Sequence, residues 1–430
     1  MKALVLEDIG QIAYKDIAKP SPQRGEALVK VHAAGICGSD IPRTYRDGAH
    51  NMPLVIGHEF AGCVEDVGEG VSSDLIGKRV GVFPLIPCKK CRLCLGGKYE
   101  MCKNYNYLGS RCNGGFAEYV TVPEWNLIEL PANVSYEAAA MLEPMAVAVH
   151  AMTRSKIVSA RAAFERALSG DNSDPRSKIV SARAAFERAL SGDNSDPRSK
   201  IVSARAAFER ALSGDNSDPR SKIVSARAAF ERTVSDDITV AVCGLGTIGT
   251  LLVQFLLEAG YNDLIVIGNK DFQRKTITAL GVPDECYCDS RKTDARDFIM
   301  DHTDKRGADV FFECVGNNDT VSLAVDCAAA GGSVCFVGNP HSDMTFEKAV
   351  YWKILRNQLN ISGTWNSSYL GRECLDDDWH YVLSRLEKGS IQPEKLITHK
   401  YTLEELIKGF ELMRDKSEDY IKVMYSDKSL

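Results

Sequence analysis

This chain of 430 residues is short of three things, and each shortage removes a class of function. It has no excess of positive charge. Against 52 Lys and Arg stand 58 Asp and Glu, a formal net charge of −6, so neither nucleic acid nor an anionic membrane is expected as a partner. It has little that reads as an export signal, because the opening MKALVLEDIGQIAYKD breaks its apolar run with acids; a cytoplasmic location is the expectation. Long uncharged runs are also scarce. One of 20 residues, Ile238–Leu257, has the length of a membrane span, but Gly244, Gly246 and Gly249 punctuate it, so strand, turn and helix are expected there. What remains, 44% hydrophobic and 26% charged, is the composition of a folded chain with more than one domain.

What is present begins with a repetition. RSKIVSARAAFERALSGDNSDP runs from Arg154 to Pro175 and recurs letter for letter from Arg176 and from Arg198, while a fourth copy starts at Arg220 and stops after Arg232. Ile157, Arg161, Phe164 and Leu168 mark one helical face, flanked by Ala160, Ala163 and Ala167. Gly170 suits the end of one helix, and Ser173 or Asp174 can cap the next, which begins at Pro175. Each unit thus reads as about four turns of helix and a turn. ARAAFERAL followed by DP resembles the second helix of half-a-tetratricopeptide repeats, without the partner helix. Residues 155–232 hold no His or Cys and carry 15 Lys and Arg against 10 Asp and Glu, so they contribute +5 and the remainder −11. Two readings stand: a helical spacer lodged in another protein, or a partner-binding array. The identity of the copies favours the first, and without them EPMAVAVHAMTR runs into TVSDDITVAVCGLGTIG as a helix into a strand.

Cysteine is plentiful, with 14, and without an export signal these read as metal ligands and buried thiols, not disulfides. CKKCRLCLGGKYEMC sets Cys88, Cys91, Cys94 and Cys102 close enough to enclose a tetrahedral zinc with no open position, a structural site. Spacing alone does not choose the metal, so an iron–sulfur cluster stays open. A second set is dispersed: Cys37 in GICGSD, His58 and Glu59 in GHEFAG, and Glu143 in MLEPM. Cys, His and carboxylate together can hold zinc and leave room for a substrate oxygen.

With the glycine pattern Gly57, Gly62, Gly68 and Val71, these segments resemble the zinc-dependent medium-chain dehydrogenase/reductase family over residues 1–154 and 233–430. GHEFAGCVEDVGEGV, the four-cysteine lobe and NGGFAEY carry the likeness, and Glu143 before Pro144 is similar to the polyol dehydrogenase branch. The resemblance implies two zinc ions per subunit, one structural and one catalytic. It implies that Cys37 and His58 ligate the catalytic zinc and that Glu59 and Glu143 do so directly, through water or in alternation. Asp40 would orient His58. It further implies hydride transfer from a carbinol carbon to a nicotinamide, with zinc lowering the pKa of the alcohol. Ser39 matches the hydroxyl that begins the family's proton relay, but Pro42 stands where many relatives have the next His; His50 is a substitute by analogy alone.

ITVAVCGLGTIGTLLVQFLLEAG supplies a β-branched strand, then Gly244, Gly246, Thr247, Ile248 and Gly249, then an apolar helix. The glycines permit a tight turn and close approach of a pyrophosphate to a helix N-terminus. The next strand, DLIVIGN, ends on Gly268 and Asn269, with Lys270 and Arg274 beyond, where an acid would bind the adenosine ribose. Loss of that carboxylate removes repulsion against a 2′-phosphate and leaves NAD or NADP as cofactor, with a lean to NADP; Lys270 and Arg274 read equally as solvated helix residues.

CGSDIPRTYRDGAHNMPLVIGHE and YWKILRNQLNISGTWNSS resemble the family's galactitol-1-phosphate 5-dehydrogenases. A phosphorylated polyol needs cations, and Arg43, Arg46, Arg111 and Arg356 are available, although each taken singly reads more readily as a surface or domain-packing arginine. Sorbitol-like or threonine 3-dehydrogenase-like activity is the nearest alternative, and a repeat scaffold on a dehydrogenase body the alternative of another class. Cys37, His58 and Glu143 argue against a zinc-free quinone-reductase-like member. The expected architecture is α/β. Residues 1–154 and 366–430 would form a GroES-like β-barrel catalytic domain, 233–365 a doubly wound Rossmann domain, and 155–232 an all-α helical-repeat insertion. A homodimer or homotetramer is implied by the resemblance.

Overall fold

The computed structural model describes residues 1–155, 238–340, 342–374 and 377–427. The helical repeat expected over 155–232 lies outside the described residues, apart from Ser155. The chain divides into two units, Met1–Val147 with Trp365–Leu430, and Ala148–Thr364.

The first unit is built on antiparallel strands: β1 (Lys2–Asp8), β2 (Gln11–Asp16), β3 (Glu26–Ile36), β4 (Leu54–Val55), β5 (Glu59–Val67), β6 (Arg79–Val82), β7 (Leu85–Ile86), β8 (Asn106–Tyr107), β9 (Tyr119–Pro123) and β10 (Leu127–Glu129). The main sheet runs β10–β6–β5–β3 and continues through Lys422–Ser426 to Ile397–Tyr401, with β9 also on β3. Alternation decides which side is dry. Val29, Val31, Phe60, Val64, Val80, Val82, Val122 and Leu127 are buried in one cluster with Phe116, Phe410 and Val423. Two irregularities in the β3–β5 pairing, at Leu28/Val29 and Val31/Ala33, bend the pair where Gly62 faces β3. A Cβ on Gly62 would lie 2.0 Å from the carbonyl oxygen of Lys30, so backbone meets backbone there.

The second unit carries a parallel sheet of β11 (Val240–Cys243), β12 (Leu264–Gly268), β13 (Tyr287–Asp289), β14 (Ala308–Glu313), β15 (Ala328–Phe336) and β16 (Asn360–Gly363). Their spatial order is β13–β12–β11–β14–β15–β16, the Rossmann order expected from the alternation of strand and helix. The central strands are near-continuous apolar runs because both faces are covered: Ala241, Val242, Ile265, Val266, Phe311 and Phe312 are all fully buried. The uncharged run Ile238–Leu257 resolves into β11, a glycine turn and the helix Thr247–Glu258. Among the described residues no helix is long and apolar enough to cross a membrane.

Gly62→Ala should cost about 1–3 kcal/mol of stability by overpacking. Urea denaturation of the variant would show a lower midpoint, and an unchanged midpoint would contradict the close backbone approach.

Candidate active site

Register assembles the first cluster. β3 ends at Ile36, one residue before Cys37, and β5 starts at Glu59, one residue after His58. Because Gly35 pairs with Glu59 across the two strands, all three side chains emerge at the same end of the sheet. The ligand atoms of Cys37, His58 and Glu59 lie within 4.8 Å of one another, as a single metal ion requires. Gly57 sits at φ +96° with the Phe116 ring against it, so the strand-to-loop turn that presents His58 admits no side chain there.

Each member has a partner. Asp40, fully buried, accepts from the Cys37 backbone N–H at 3.0 Å and from the Arg43 guanidinium. Its Oδ1 lies 3.4 Å from His58 Nδ1, within ion-pair range though not aligned as a hydrogen bond. Burial pushes the Asp40 carboxyl up, but His58, Arg43 and that N–H together hold it below the usual carboxylate range. Burial likewise opposes charge on His58, and Asp40 and Cys37 outweigh it, raising the imidazole well above its ordinary value. The Ser39 hydroxyl donates to Cys37 Sγ at 3.3 Å. Among the described residues no hydrogen bond links Ser39 to His50, which lies exposed.

Glu143 stands apart from the three clustered ligands. Tyr107 donates to its Oε1 at 3.2 Å, and the Tyr107 ring meets the His58 ring edge-on at 5.8 Å. Burial is the main influence on Glu143 and pushes its carboxyl up to about 7. Lys422 completes the set. Buried in the strand next to β3, it donates to the Ile36 carbonyl at 3.0 Å and to Glu59. Gly35 makes room for this pair, since a Cβ there would lie 2.3 Å from Glu59 Oε2 and 2.5 Å from Lys422 Cε. Neither Lys422 nor Tyr107 was expected from the sequence. A lone Lys in the apolar strand IKVMYS was the available signal for the first.

The second cluster is local. Cys91 and Cys94 sulfurs are 3.5 Å apart, Cys88 and Cys94 3.9 Å, and Cys91 and Cys102 4.0 Å. A tetrahedron with zinc–sulfur bonds of about 2.3 Å has edges of about 3.8 Å, so the quartet fits zinc. Backbone N–H groups, foremost that of Cys94, bring the Cys91 thiol down to about 6, whereas burial pushes Cys94 up to about 12. A bound cation is what lets all four ionise together.

In the second unit β11 ends in a glycine cradle. Gly244 adopts φ +98°, Gly246 begins the helix with no side chain capping it, and Thr247 and Ile248 open its first turn. A Cβ on Gly249 would lie 1.9 Å from the Gly244 carbonyl oxygen. This is a turn shaped for a pyrophosphate at a helix N-terminus. At the end of β12, Gly268 lies under the Tyr287 hydroxyl, which donates to the Lys270 carbonyl at 3.0 Å, and the Asn269 N–H donates to Gln273 at 3.0 Å. Arg274 points elsewhere, gripping Asp284 with Nε at 2.6 Å and Nη2 closer still.

Comparison with known proteins agrees with both units. The alcohol dehydrogenase GroES-like domain matches residues 23–132, and the zinc-binding dehydrogenase domain matches 247–388. The chain belongs to the zinc-containing medium-chain alcohol dehydrogenase family. It is 26% identical over 408 residues to galactitol 1-phosphate 5-dehydrogenase of Escherichia coli K12, covering 94% of each chain. It is 27% identical over 432 residues to sorbitol dehydrogenase of Halalkalibacterium halodurans, covering 99% of this chain and 98% of that one. The crystal structure of galactitol-1-phosphate dehydrogenase from Escherichia coli superposes with a TM-score of 0.74 at 25% identity, over 99% of this chain and 100% of that one. As a member of the family the protein is a zinc-dependent NAD(P) dehydrogenase of alcohols or polyols, with a structural site of four cysteines and a catalytic site of Cys, His and Glu.

Two expectations follow for the dehydrogenase. Cys94→Ser should remove one equivalent of zinc per chain and lower the melting temperature; metal analysis beside thermal denaturation reads both. Gly249→Ala should raise KM for the dinucleotide tenfold or more while zinc content stays the same, because the new methyl group displaces the Gly244 turn.

Proposed function

We propose that this dehydrogenase oxidises a secondary hydroxyl of a sugar alcohol, with galactitol 1-phosphate as the leading substrate and NAD or NADP as hydride acceptor. One observation carries the reading: half-buried Cys37 and buried His58 and Glu59 form a ligand set beside the Tyr107–Glu143 pair, a site rich in groups that hydrogen-bond hydroxyls. The names of two relatives above, a galactitol 1-phosphate dehydrogenase and a sorbitol dehydrogenase, support the polyol class.

Bound zinc would supply Lewis-acid stabilisation of negative charge on the reacting oxygen. The chain's own groups do the rest. Asp40 holds His58 in one orientation, and its charge is shared with Arg43. Lys422 pairs with Glu59 and fixes its carboxylate in a buried position. Glu143, either a direct or an occasional ligand, receives the Tyr107 hydroxyl. Ser39 is placed at the start of the proton path by its match to the family's hydroxyl, its Oγ against Cys37 Sγ, and among the described residues no hydrogen bond continues that path to His50. The cradle Gly244–Gly249 takes the pyrophosphate, and the segment Gly268–Lys270 at the end of β12 takes the adenosine end.

The same reading divides the chain as 1–154 with 366–430, 155–232 and 233–365, and makes 155–232 an inserted spacer in a cytoplasmic homodimer or homotetramer. The test is the initial rate of reduced-nicotinamide formation with galactitol 1-phosphate, galactitol and sorbitol, each with NAD and with NADP. The expected result is turnover of a polyol by the full chain and by a variant lacking 155–232. Turnover of none of them by either protein would refute the reading.

A further inference from the structure

Of the four arginines that could receive an anionic substrate, two are already engaged by carboxylates and a third belongs to the second unit. Arg43 donates to Asp40. Arg46 grips Asp47 through Nε at 2.7 Å and Nη2 at 2.9 Å. Arg356 ends a helix of the nucleotide-binding unit. Arg111 differs. Among the described residues it makes no ion pair, and its Nε is buried without a hydrogen-bond partner. Its guanidinium carbon lies 4.5 Å from the centre of the Tyr105 ring.

The position is built, not incidental. Backbone N–H groups of Ser110, Arg111 and Cys112 all donate to the Tyr107 carbonyl, at 3.3, 2.9 and 3.2 Å, closing a tight turn. Asn51 donates to the Arg111 carbonyl at 3.0 Å and ties that turn to the segment that carries His50. Partial desolvation and then the charges of Arg111 and Arg43 hold the His50 imidazole below its ordinary range, so His50 shares one neighbourhood with two guanidiniums and offers a hydrogen bond rather than a charge. An aromatic row leads from there to the metal ligands: Tyr105 to Tyr107 at 6.1 Å between ring centres, and Tyr107 to His58 at 5.8 Å. A guanidinium stays ionised at any working pH, and leaving one half-buried with no carboxylate costs stability that an incoming oxyanion would restore.

We propose that Arg111, with His50 beside it, receives an anionic group carried by the substrate, either a phosphate ester or a carboxylate, and so selects charged polyols over neutral ones. The inference rests on the polyol dehydrogenase reading. Arg111 is a specificity-determining residue in it, paired in planar, bidentate fashion with the oxyanion.

Two measurements on the zinc-loaded full chain test it. The first is calorimetric binding of inorganic phosphate in the presence of saturating NAD, for the wild type and for Arg111→Gln. Affinity should fall about tenfold or more in the variant, and Arg111→Lys should recover part of it. The second is the ratio of kcat/KM for charged over neutral polyol, with galactitol 1-phosphate against galactitol and an aldonate against its alditol. The arm whose ratio collapses in Arg111→Gln identifies phosphate or carboxylate as the group received. Equal phosphate affinity in wild type and Arg111→Gln, with unchanged ratios, would overturn the inference while leaving a polyol dehydrogenase intact. A wild type that oxidises no polyol, yet loses phosphate affinity on Arg111→Gln, would refute the substrate class and keep the anion site. Zinc content and melting temperature of each variant separate loss of the contact from loss of the fold.

Discussion

The catalytic unit depends on one register, the pairing of Gly35 with Glu59 between β3 and β5. A slip by one residue would send His58 and Glu59 to opposite sides of where they now lie, because side chains alternate along a strand. The same pairing leaves the gap above Gly35 through which Lys422 reaches Glu59. Metal ligands, the charge that balances them and the space for both therefore follow from how two strands line up.

Charge balance explains why so many ionisable groups tolerate burial together. Asp40 is matched by Arg43 and His58, and Glu59 by Lys422. Among the described residues Glu143 accepts one side-chain hydrogen bond, from the Tyr107 hydroxyl, and burial pushes its carboxyl up to about 7. Buried ions add little stability in themselves, since desolvation offsets their attraction. Their value here is placement, because each pair removes one freedom from a ligand that must meet a small ion. The four-cysteine lobe works otherwise, with backbone N–H groups favouring ionisation of Cys88 and Cys91 before any partner side chain is involved.

The cofactor turn is governed by steric exclusion rather than charge. Gly249 and Gly244 touch backbone to backbone, which brings the first turn of the helix Thr247–Glu258 against the end of β11. Farther along, one of the two cations that the sequence offered for a 2′-phosphate, Arg274, is held by Asp284.

Much of this was legible in the sequence wherever the partners are near one another in the chain. The quartet Cys88, Cys91, Cys94 and Cys102, the cradle Gly244–Gly249 and the strands β11 and β12 could be read because spacing limits what a short segment can do. The three-residue strand β13 and the edge strand β16 could not, being too short to show a period. Cys37, His58 and Glu59 were found only as separate motifs, joined by resemblance. Tertiary structure alone decided that Lys422 meets Glu59 across 363 positions of sequence, that Tyr107 meets Glu143, and that Arg111 keeps no carboxylate among the described residues. The physical reason is the same in each case: a contact between distant residues is set by strand register and packing, and no local pattern of residues encodes either.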